Sequence, residues 1–370
     1  MLSLKKVAVM VRNSIADRFH FDPPLLVGVL LMSALGLMVL YSASEQSFDT
    51  ILHQGLRLLV GLVAMIIVAQ IPPYRIAHWA PTLYLIALSL LVIVLFFGAG
   101  RGVQRWLDLG FFRFQPSEIT KIAVPLTVAS LVSNKLLPPD LKTIAIAGVL
   151  IFLPTVLIAM QPDLGTAVLV AFSGLMVLFF AGISWPFIRN SFLLGIAAAP
   201  IGWLMMHDYQ RQRVLTLFDP DRDALGAGYH IIQSTIAVGS GGIFGKGWLN
   251  GTQSHLEFLP ERATDFIFAV YCEEFGLVGV VIMLLGYSLI IVRGIQIALL
   301  AQDAFGRLVS VVLTLTLFIY VFVNMSMVTG QLPVVGIPLP LVSFGGTSLV
   351  TILIAMGVLM SIHTHRKLVF

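Results

Sequence analysis

The chain has 370 residues, of which 58% are hydrophobic and 11% are charged, and its formal net charge at pH 7 is +4. Soluble domains carry about 25% charged residues, so this composition excludes a water-soluble globular protein. So small a net charge gives no indication of nucleic-acid binding. The single cysteine, Cys272, excludes an intrachain disulfide.

Ten apolar runs, each near the length of about 20 residues that spans a bilayer, follow one another along the chain. They predict an all-α polytopic membrane protein with about ten transmembrane helices. One polar segment, residues 207–265, is a large loop between helices 7 and 8, and residues 1–370 are predicted to form a single integral membrane domain. The runs lie at 24–43, 54–71, 78–98, 117–134, 143–160, 164–183, 186–206, 266–292, 307–329 and 345–363.

The distribution of Lys and Arg predicts that both termini are cytoplasmic, because short cytoplasmic connections carry the excess of positive charge. Positive residues precede the first run and follow the last, namely Lys5, Lys6, Arg12, Arg18, Arg366 and Lys367. The loop 207–265 and the connection 99–116 then lie on the periplasmic side. Arg105 and its basic neighbours in 99–116 run against this rule, so they require an anionic partner or a local acid.

Two Gln-Pro motifs place acids at predicted helix starts on the periplasmic side. Gln115–Glu118 is followed by Lys121 within a predicted span, and Gln161–Asp163 opens another. Glu118 and Lys121, three residues apart, share a helix face and can pair. That pair is either a structural ion pair or part of a polar cavity that holds a ligand. Asp163 is either a helix cap or part of one of two polar helix ends on the same face, a kind of helix start that favours anions although the acids offset this.

Asp265 stands where the chain re-enters the membrane after the long loop. An acid near a helix N-terminus is a common capping preference. The functional alternative is a general base at the membrane surface, where partial burial tunes the pKa of a carboxylate. Glu273 and Glu274 follow on the same helix, and acids inside a span rarely face lipid.

The glycine-rich stretch 239–247 is similar to a phosphate-binding loop but lacks its pattern, since residue 240 is Ser and residue 247 is Gly. It predicts a tight loop. Arg211, Arg213 and Lys246 are either solvated surface residues or ligands of a diphosphate, for which arginine is well suited.

Several stretches resemble the SEDS family (shape, elongation, division and sporulation proteins), and they cover essentially the whole chain. The longest is 324–348, which reads NMSMVTGQLPVVGIPLPLVSFGGTS. The others are 105–107, 115–118, 161–165 and 257–266, and the stretch 207–214 is similar to the rod-shape branch. Phe344 replaces a usual Tyr and Gln331 a usual aliphatic residue; neither touches the charged motifs.

The resemblance implies a GT-C-like fold and a peptidoglycan glycosyltransferase that polymerises lipid II, a disaccharide-peptide on undecaprenyl diphosphate. It implies Asp265 as the catalytic general base on the acceptor 4-hydroxyl, with inversion at the anomeric carbon. The residues assigned to substrate binding are Arg105, Glu118, Lys121, Asp163, Arg211, Arg213, Lys246, Glu257, Arg262 and Ser343. The sequence shows no dedicated metal site, although a divalent cation, Mg²⁺ or Mn²⁺, is compatible with the diphosphate chemistry.

The implied partners are a class B penicillin-binding protein, which crosslinks the strands, and other proteins of the elongation complex. The implied location is the bacterial inner membrane, with the active site on the periplasmic side. Two alternatives remain: a lipid II flippase, since transporters also use polar groups and Pro-Gly-broken helices within spans, and a scaffold that only activates the transpeptidase. Ionisable residues concentrated in the outer half favour the enzyme.

Overall fold

The computed structural model describes residues 20–98, 105–108, 110, 113–206, 208–219, 227–252 and 261–366. Helices fill most of these residues, as the sequence predicts. In chain order they are α1 Pro23–Ala43, α2 Phe48–Ala69, α3 Pro73–Phe97, α4 Pro116–Ser133, α5 Leu141–Met160, α6 Leu164–Phe180, α7 Trp185–Met205, α8 Asp208–Phe218, α9 Ala227–Ser240, α10 Ile267–Leu300, α11 Ala304–Val328 and α12 Thr347–Thr364. A two-residue ladder joins β1 (Leu107–Asp108) to β2 (Arg113–Phe114) before α4.

A helix coincides with each of the ten apolar runs. Among the described residues, seven helices are long and apolar enough to cross a membrane, namely α1, α2, α3, α5, α10, α11 and α12, and α6 is a shorter apolar helix. A helical membrane protein is therefore confirmed, while the count of ten crossing helices stays a prediction. The bounds 207–265 of the large loop also stay a prediction, because 207, 220–226 and 253–260 lie outside the described residues.

Helix α4 is the central helix of the bundle. It packs against α3, α5, α6 and α11, and 15 of its 18 residues are buried. It begins at Pro116, whose missing N–H costs nothing at the first helical position. Because protein rather than lipid surrounds it, this helix tolerates Glu118 and Lys121 at a depth where lipid exposure would be costly.

Helices α2 and α12 pack together over much of their length. A side chain at Gly61 of α2 would meet Leu353, and one at Gly357 of α12 would meet the backbone of Met65. Small residues of this kind let two membrane helices approach closely. The pairing anchors α12, and with it the irregular segment 337–346 that precedes this helix.

Helix α10 has 34 residues and is broken at Gly276, where φ is 60° and ψ is −158°. The glycine-rich loop 241–247 fills the break. Amides of Leu277 and Val278 donate to Gly242 and Ile243, and amides of Lys246 and Gly247 donate to Glu273 and Glu274, each over 3.0 Å. A membrane helix can break only where other protein groups satisfy its backbone, and this loop supplies them.

We expect Gly241→Ala to destabilise the protein, because its Cβ would lie 2.0 Å from the carbonyl oxygen of Cys272. Overpacking of this kind costs about 1–3 kcal/mol. Gly239→Ala is the matched control, since nothing lies within 4 Å of its Cβ. Thermal unfolding in detergent should show a lower midpoint for Gly241→Ala alone. Equal midpoints for the two variants would show that the loop does not fill the break in α10.

Candidate active site

The turn before α10 is held by three consecutive backbone carbonyls. The carbonyl of Ala263 accepts from the amide of Phe344 over 2.8 Å. The carbonyl of Thr264 accepts from the hydroxyl of Ser343 over 2.6 Å, and that of Asp265 accepts from Nδ2 of Asn324 over 2.9 Å. The backbone that carries Asp265 is therefore tied to α11 and to the segment before α12.

The carboxylate of Asp265, in contrast, is not engaged. Within the described part of the chain it accepts no hydrogen bond and forms no ion pair. It does not cap α10, because the N-cap position is occupied by Phe266 and no described amide donates to the Asp265 carboxylate. Its Oδ2 lies over Gly336, 3.4 Å from the point where a Cβ would stand. The structure thus fixes the backbone of Asp265 and leaves its carboxylate available.

The surroundings of Asp265 adjust its acidity. The residue lies in the turn outside the membrane-spanning part of α10. Burial raises the pKa of its carboxyl from 3.8 to about 6, and the nearby charge of Glu261 acts in the same direction, whereas Arg213 opposes both. A carboxylate whose pKa lies near the working pH is suited to general-base catalysis.

A second polar cluster is formed by Glu118 and Lys121 near the start of α4. The Lys121 Nζ lies 2.7 Å from Oε1 of Glu118, and 5.0 Å from the ring centroid of Tyr320 on α11. The other carboxylate oxygen of Glu118 and the hydroxyl of Ser117 are buried without a hydrogen-bond partner among the described residues. Such groups are rare in packed interiors, so the cluster retains hydrogen-bonding capacity that its described neighbours do not use.

The two Gln-Pro motifs contact each other. Nε2 of Gln115 donates to Oδ2 of Asp163 over 3.0 Å, while Asp163 also caps α6 by accepting from the amide of Thr166. Arg105 lies 4.0 Å from Asp163 and donates to the carbonyls of Gln161 and Pro162. The local acid that the sequence required for the unexpected positive charge of Arg105 is therefore Asp163.

The segment 335–337 brings these groups towards Asp265. A Cβ at Gly165, two residues after Asp163, would meet Val335, whereas the next residue, Gly336, lies against the Asp265 carboxylate. Helix α11 makes the same connection, since Tyr320 contacts Lys121 and Asn324, one turn later, holds Asp265. Arg105, Glu118, Lys121, Asp163 and Asp265 therefore belong to one region.

Three predicted phosphate-binding cations have other partners. Arg211 donates to the carbonyls of Trp203 and Leu204 at the end of α7. Lys246 lies 2.7 Å from the fully buried Glu273, in the loop that fills the break in α10. Arg262 pairs with Glu45, in the connection after α1. These contacts favour structural roles, and the assignment of the three to substrate binding stays a prediction.

The other predicted site residues, Arg213, Ser343 and Glu257, have three different outcomes. Arg213 is exposed and close enough to Asp265 to lower its pKa, which agrees with the predicted role. The hydroxyl of Ser343 is buried and used twice, donating to Thr264 and accepting from the amide of Leu339 over 2.8 Å. The structure therefore gives Ser343 a supporting contact in place of a free hydroxyl. Glu257 lies outside the described residues.

Sequence reasoning passed over four residues of this region, namely Gln54, Arg57, Tyr320 and Asn324. Gln54 on α2 donates to the carbonyl of Ser343 and accepts from the amide of Gly345. Arg57, one turn further, stacks on the ring of Phe344 at 4.5 Å and has no carboxylate partner among the described residues. The signal was available, because polar residues inside apolar runs are functional candidates by default.

No group of three or more His, Cys, Asp or Glu side chains could hold a metal ion among the residues that the structure describes. Glu118 and Asp163 are each engaged by a basic or amide group. The compatibility of the site with a divalent cation therefore stays a prediction, and the chemistry below is derived without one.

We expect Lys121→Met to destabilise the protein by roughly 3–5 kcal/mol, because it leaves the buried carboxylate of Glu118 without its counter-charge. The double variant Glu118→Gln/Lys121→Met should recover about half of that loss, since no charge stays buried. The unfolding free energies of wild type, both single variants and the double variant are measured in detergent. Together they give the coupling energy between Glu118 and Lys121. Additive losses would show that the two charges do not interact.

Comparison with known proteins identifies the family of the chain. A family model described as "Cell cycle protein", FTSW_RODA_SPOVE, matches residues 24–368. The chain is 57% identical over 354 residues to the peptidoglycan glycosyltransferase MrdB of Escherichia coli K12, covering 95% of this chain and 96% of that one.

Two solved structures have the same fold. One, from a study of structural coordination of polymerization and crosslinking by a peptidoglycan synthase complex, matches with a TM-score of 0.82 and 34% identity, over 94% of this chain and 99% of that one. The rod shape determining protein RodA of Thermus thermophilus matches with a TM-score of 0.72 and 28% identity, over 94% and 98%. The chain therefore belongs to the SEDS family, the cell cycle proteins of the FtsW, RodA and SpoVE type, and is an integral membrane peptidoglycan glycosyltransferase.

Proposed function

We propose that this enzyme polymerises lipid II with Asp265 as the general base, and that its glycan serves lateral cell-wall elongation and rod shape. The observation that carries the proposal is the contrast at Asp265. Its backbone carbonyl is fixed by Asn324, yet its carboxylate is unengaged within the described residues and has a pKa near 6. A flippase or a scaffold has no need of such a base, and the relatives carry the name of a glycosyltransferase.

The reaction is a single displacement at the anomeric carbon. The carboxylate of Asp265 accepts the proton of the acceptor 4-hydroxyl as its oxygen attacks the anomeric carbon of the donor. The bond from that carbon to the diphosphate oxygen breaks, and polyprenyl diphosphate leaves with the bonding electron pair. Attack opposite to the leaving group inverts the anomeric carbon, so an α-linked donor gives a β-linked strand.

The leaving diphosphate requires positive charge arranged in advance. Arg213 suits this role best among the predicted cations, because it is exposed and its charge acts on Asp265. Lys121 and Arg105 lie in the adjoining cluster but are paired with acids. They contribute a polar, electrically balanced wall for the sugar and peptide groups.

We place the enzyme in the bacterial inner membrane with both termini cytoplasmic and the site on the periplasmic side, as the Lys and Arg distribution predicts. We further propose a class B penicillin-binding protein as partner, along with other elongation proteins. The structural neighbour from a peptidoglycan synthase complex supports a crosslinking partner. Apolar side chains are exposed along α10 and α11, for instance Leu285, Leu289 and Phe322. These faces suit helix packing in the membrane.

Asp265→Asn should abolish polymerisation, because the amide keeps the shape of the carboxylate but cannot accept the proton. The purified protein, with its penicillin-binding partner, is given fluorescent lipid II, and glycan is measured by gel. The variant should bind the partner normally. It should also be at least as stable as wild type at pH 8, since replacing a partly buried, unpaired carboxylate removes a desolvation cost. Full glycan synthesis by a folded variant would overturn the assignment of the base.

The pH dependence of kcat/KM, which reports the free enzyme, offers a second test. The base must be ionised, so kcat/KM should fall as pH drops through about 6. Arg213→Gln should move this acidic limb to higher pH, because Arg213 lowers the pKa of Asp265, whereas Glu261→Gln should move the limb to lower pH, because Glu261 raises that pKa. Low ionic strength is needed, since salt screens exposed charges. Shifts in the same direction would mean that another group sets the limb.

A further inference from the structure

We propose that Asn324 is a positioning residue for catalysis, which acts by holding the backbone carbonyl of Asp265 so that the carboxylate faces the acceptor hydroxyl. This inference rests on the proposed role of Asp265. It concerns a side chain that would touch neither substrate nor reacting atoms, and it assigns a function to the polar residue that interrupts the apolar sequence of α11.

The burial of Asn324 is the first observation. The side chain is completely buried within a membrane helix, where an amide without partners costs several kcal/mol. Its Nδ2 donates to two carbonyls, that of Asp265 over 2.9 Å and that of Ile337 over 2.7 Å. Asn324 therefore joins the turn before α10 to the segment before α12, and no apolar residue of similar size could make both contacts.

The second observation concerns the carbonyl of Asp265 itself. Asp265 precedes Phe266, the N-cap of α10, and a carbonyl before the N-cap accepts no bond from the helix. The amide of Ala269 accordingly donates to the carbonyl of Phe266 over 2.9 Å. The carbonyl of Asp265 therefore needs a partner from elsewhere, which Asn324 of α11 supplies. The orientation of Asp265 is thus set by this tertiary contact and not by its helix.

The third observation is the position of Asn324 on α11. Tyr320, one turn earlier on the same face, has its ring against Lys121. One rigid helix face therefore contacts both the Glu118–Lys121 pair and the base. A displacement of about 1 Å at a reacting group can lower a rate 100-fold. Asn324 is the direct link between this helix face and Asp265.

The test compares Asn324→Leu with wild type in the complex with the penicillin-binding partner, using lipid II as substrate. We expect kcat to fall by about 10- to 100-fold with KM nearly unchanged, because the substrate contacts stay in place. The acidic limb of kcat/KM should also move to lower pH, since a loosened turn exposes Asp265 to water while Glu261 and Arg213 remain. A loss of folded protein alone would lower the amount of active enzyme without moving the limb.

Ser310→Ala is the matched control, because Ser310 is equally buried on the same helix but lies almost four turns from Asn324. It should keep the wild-type kcat, KM and pH limb. If Asn324→Leu does not accumulate, Asn324→Ala removes both donated bonds without adding a charge, so the same changes are expected. Ser343→Ala, which frees the carbonyl of Thr264, should produce a smaller shift in the same direction.

Asp265→Asn separates the two proposals. If it is inactive while a folded Asn324 variant keeps the wild-type kcat and pH limb, the inference about Asn324 is wrong and the base assignment stands. If Asp265→Asn is active, the base assignment fails and Asn324 has no positioning role to serve. A raised KM with an unchanged kcat in the Asn324 variant would also overturn the inference, because it would indicate a substrate contact.

Discussion

A bilayer offers no water to an unpaired backbone group, and this constraint shapes every irregular part of the protein. A site that receives sugar groups at the membrane face needs turns and broken helices, whose amides and carbonyls must be satisfied from within. The structure meets the requirement with backbone from elsewhere in the chain. The glycine-rich loop bonds the break at Gly276 in α10, and three donors bond the carbonyls of residues 263–265.

The same constraint governs the charges. Most of the cations around the candidate site that the structure describes are matched to an acid or to carbonyls, for example Lys121 to Glu118 and Arg105 to Asp163. These pairs make a polar region tolerable inside a membrane protein without adding net charge. Arg213 and Arg57 differ, because neither forms an ion pair with a carboxylate among the described residues. Positive charge that remains unmatched is what a diphosphate requires.

The sequence predicted the helices well because each apolar run must become a helix in lipid, whatever its neighbours. Asp265 was predicted as the acid of the site from its place where the chain re-enters the membrane and from family motifs. Long-range contacts were beyond that reasoning. No residue near Gln115 in the sequence indicates that its side-chain amide donates to Asp163. The sequence around Lys246 likewise does not indicate its ion pair with Glu273. Ser343 was expected at the substrate, yet its hydroxyl holds the backbone.

At Asp265 the backbone and the carboxylate differ, because neighbouring side chains bind the backbone whereas none of the described residues binds the carboxylate. A hydrogen bond or cation at the carboxylate would stabilise its charged form and lower its pKa, making it a weaker base. Leaving it unengaged and partly buried raises the pKa but costs stability and removes the contacts that would fix its direction. Bonds to the backbone carbonyls of residues 264 and 265 restore direction without touching the carboxylate. Asn324 and Ser343 therefore leave the basicity of the proposed base unchanged, because they bind the backbone that carries it.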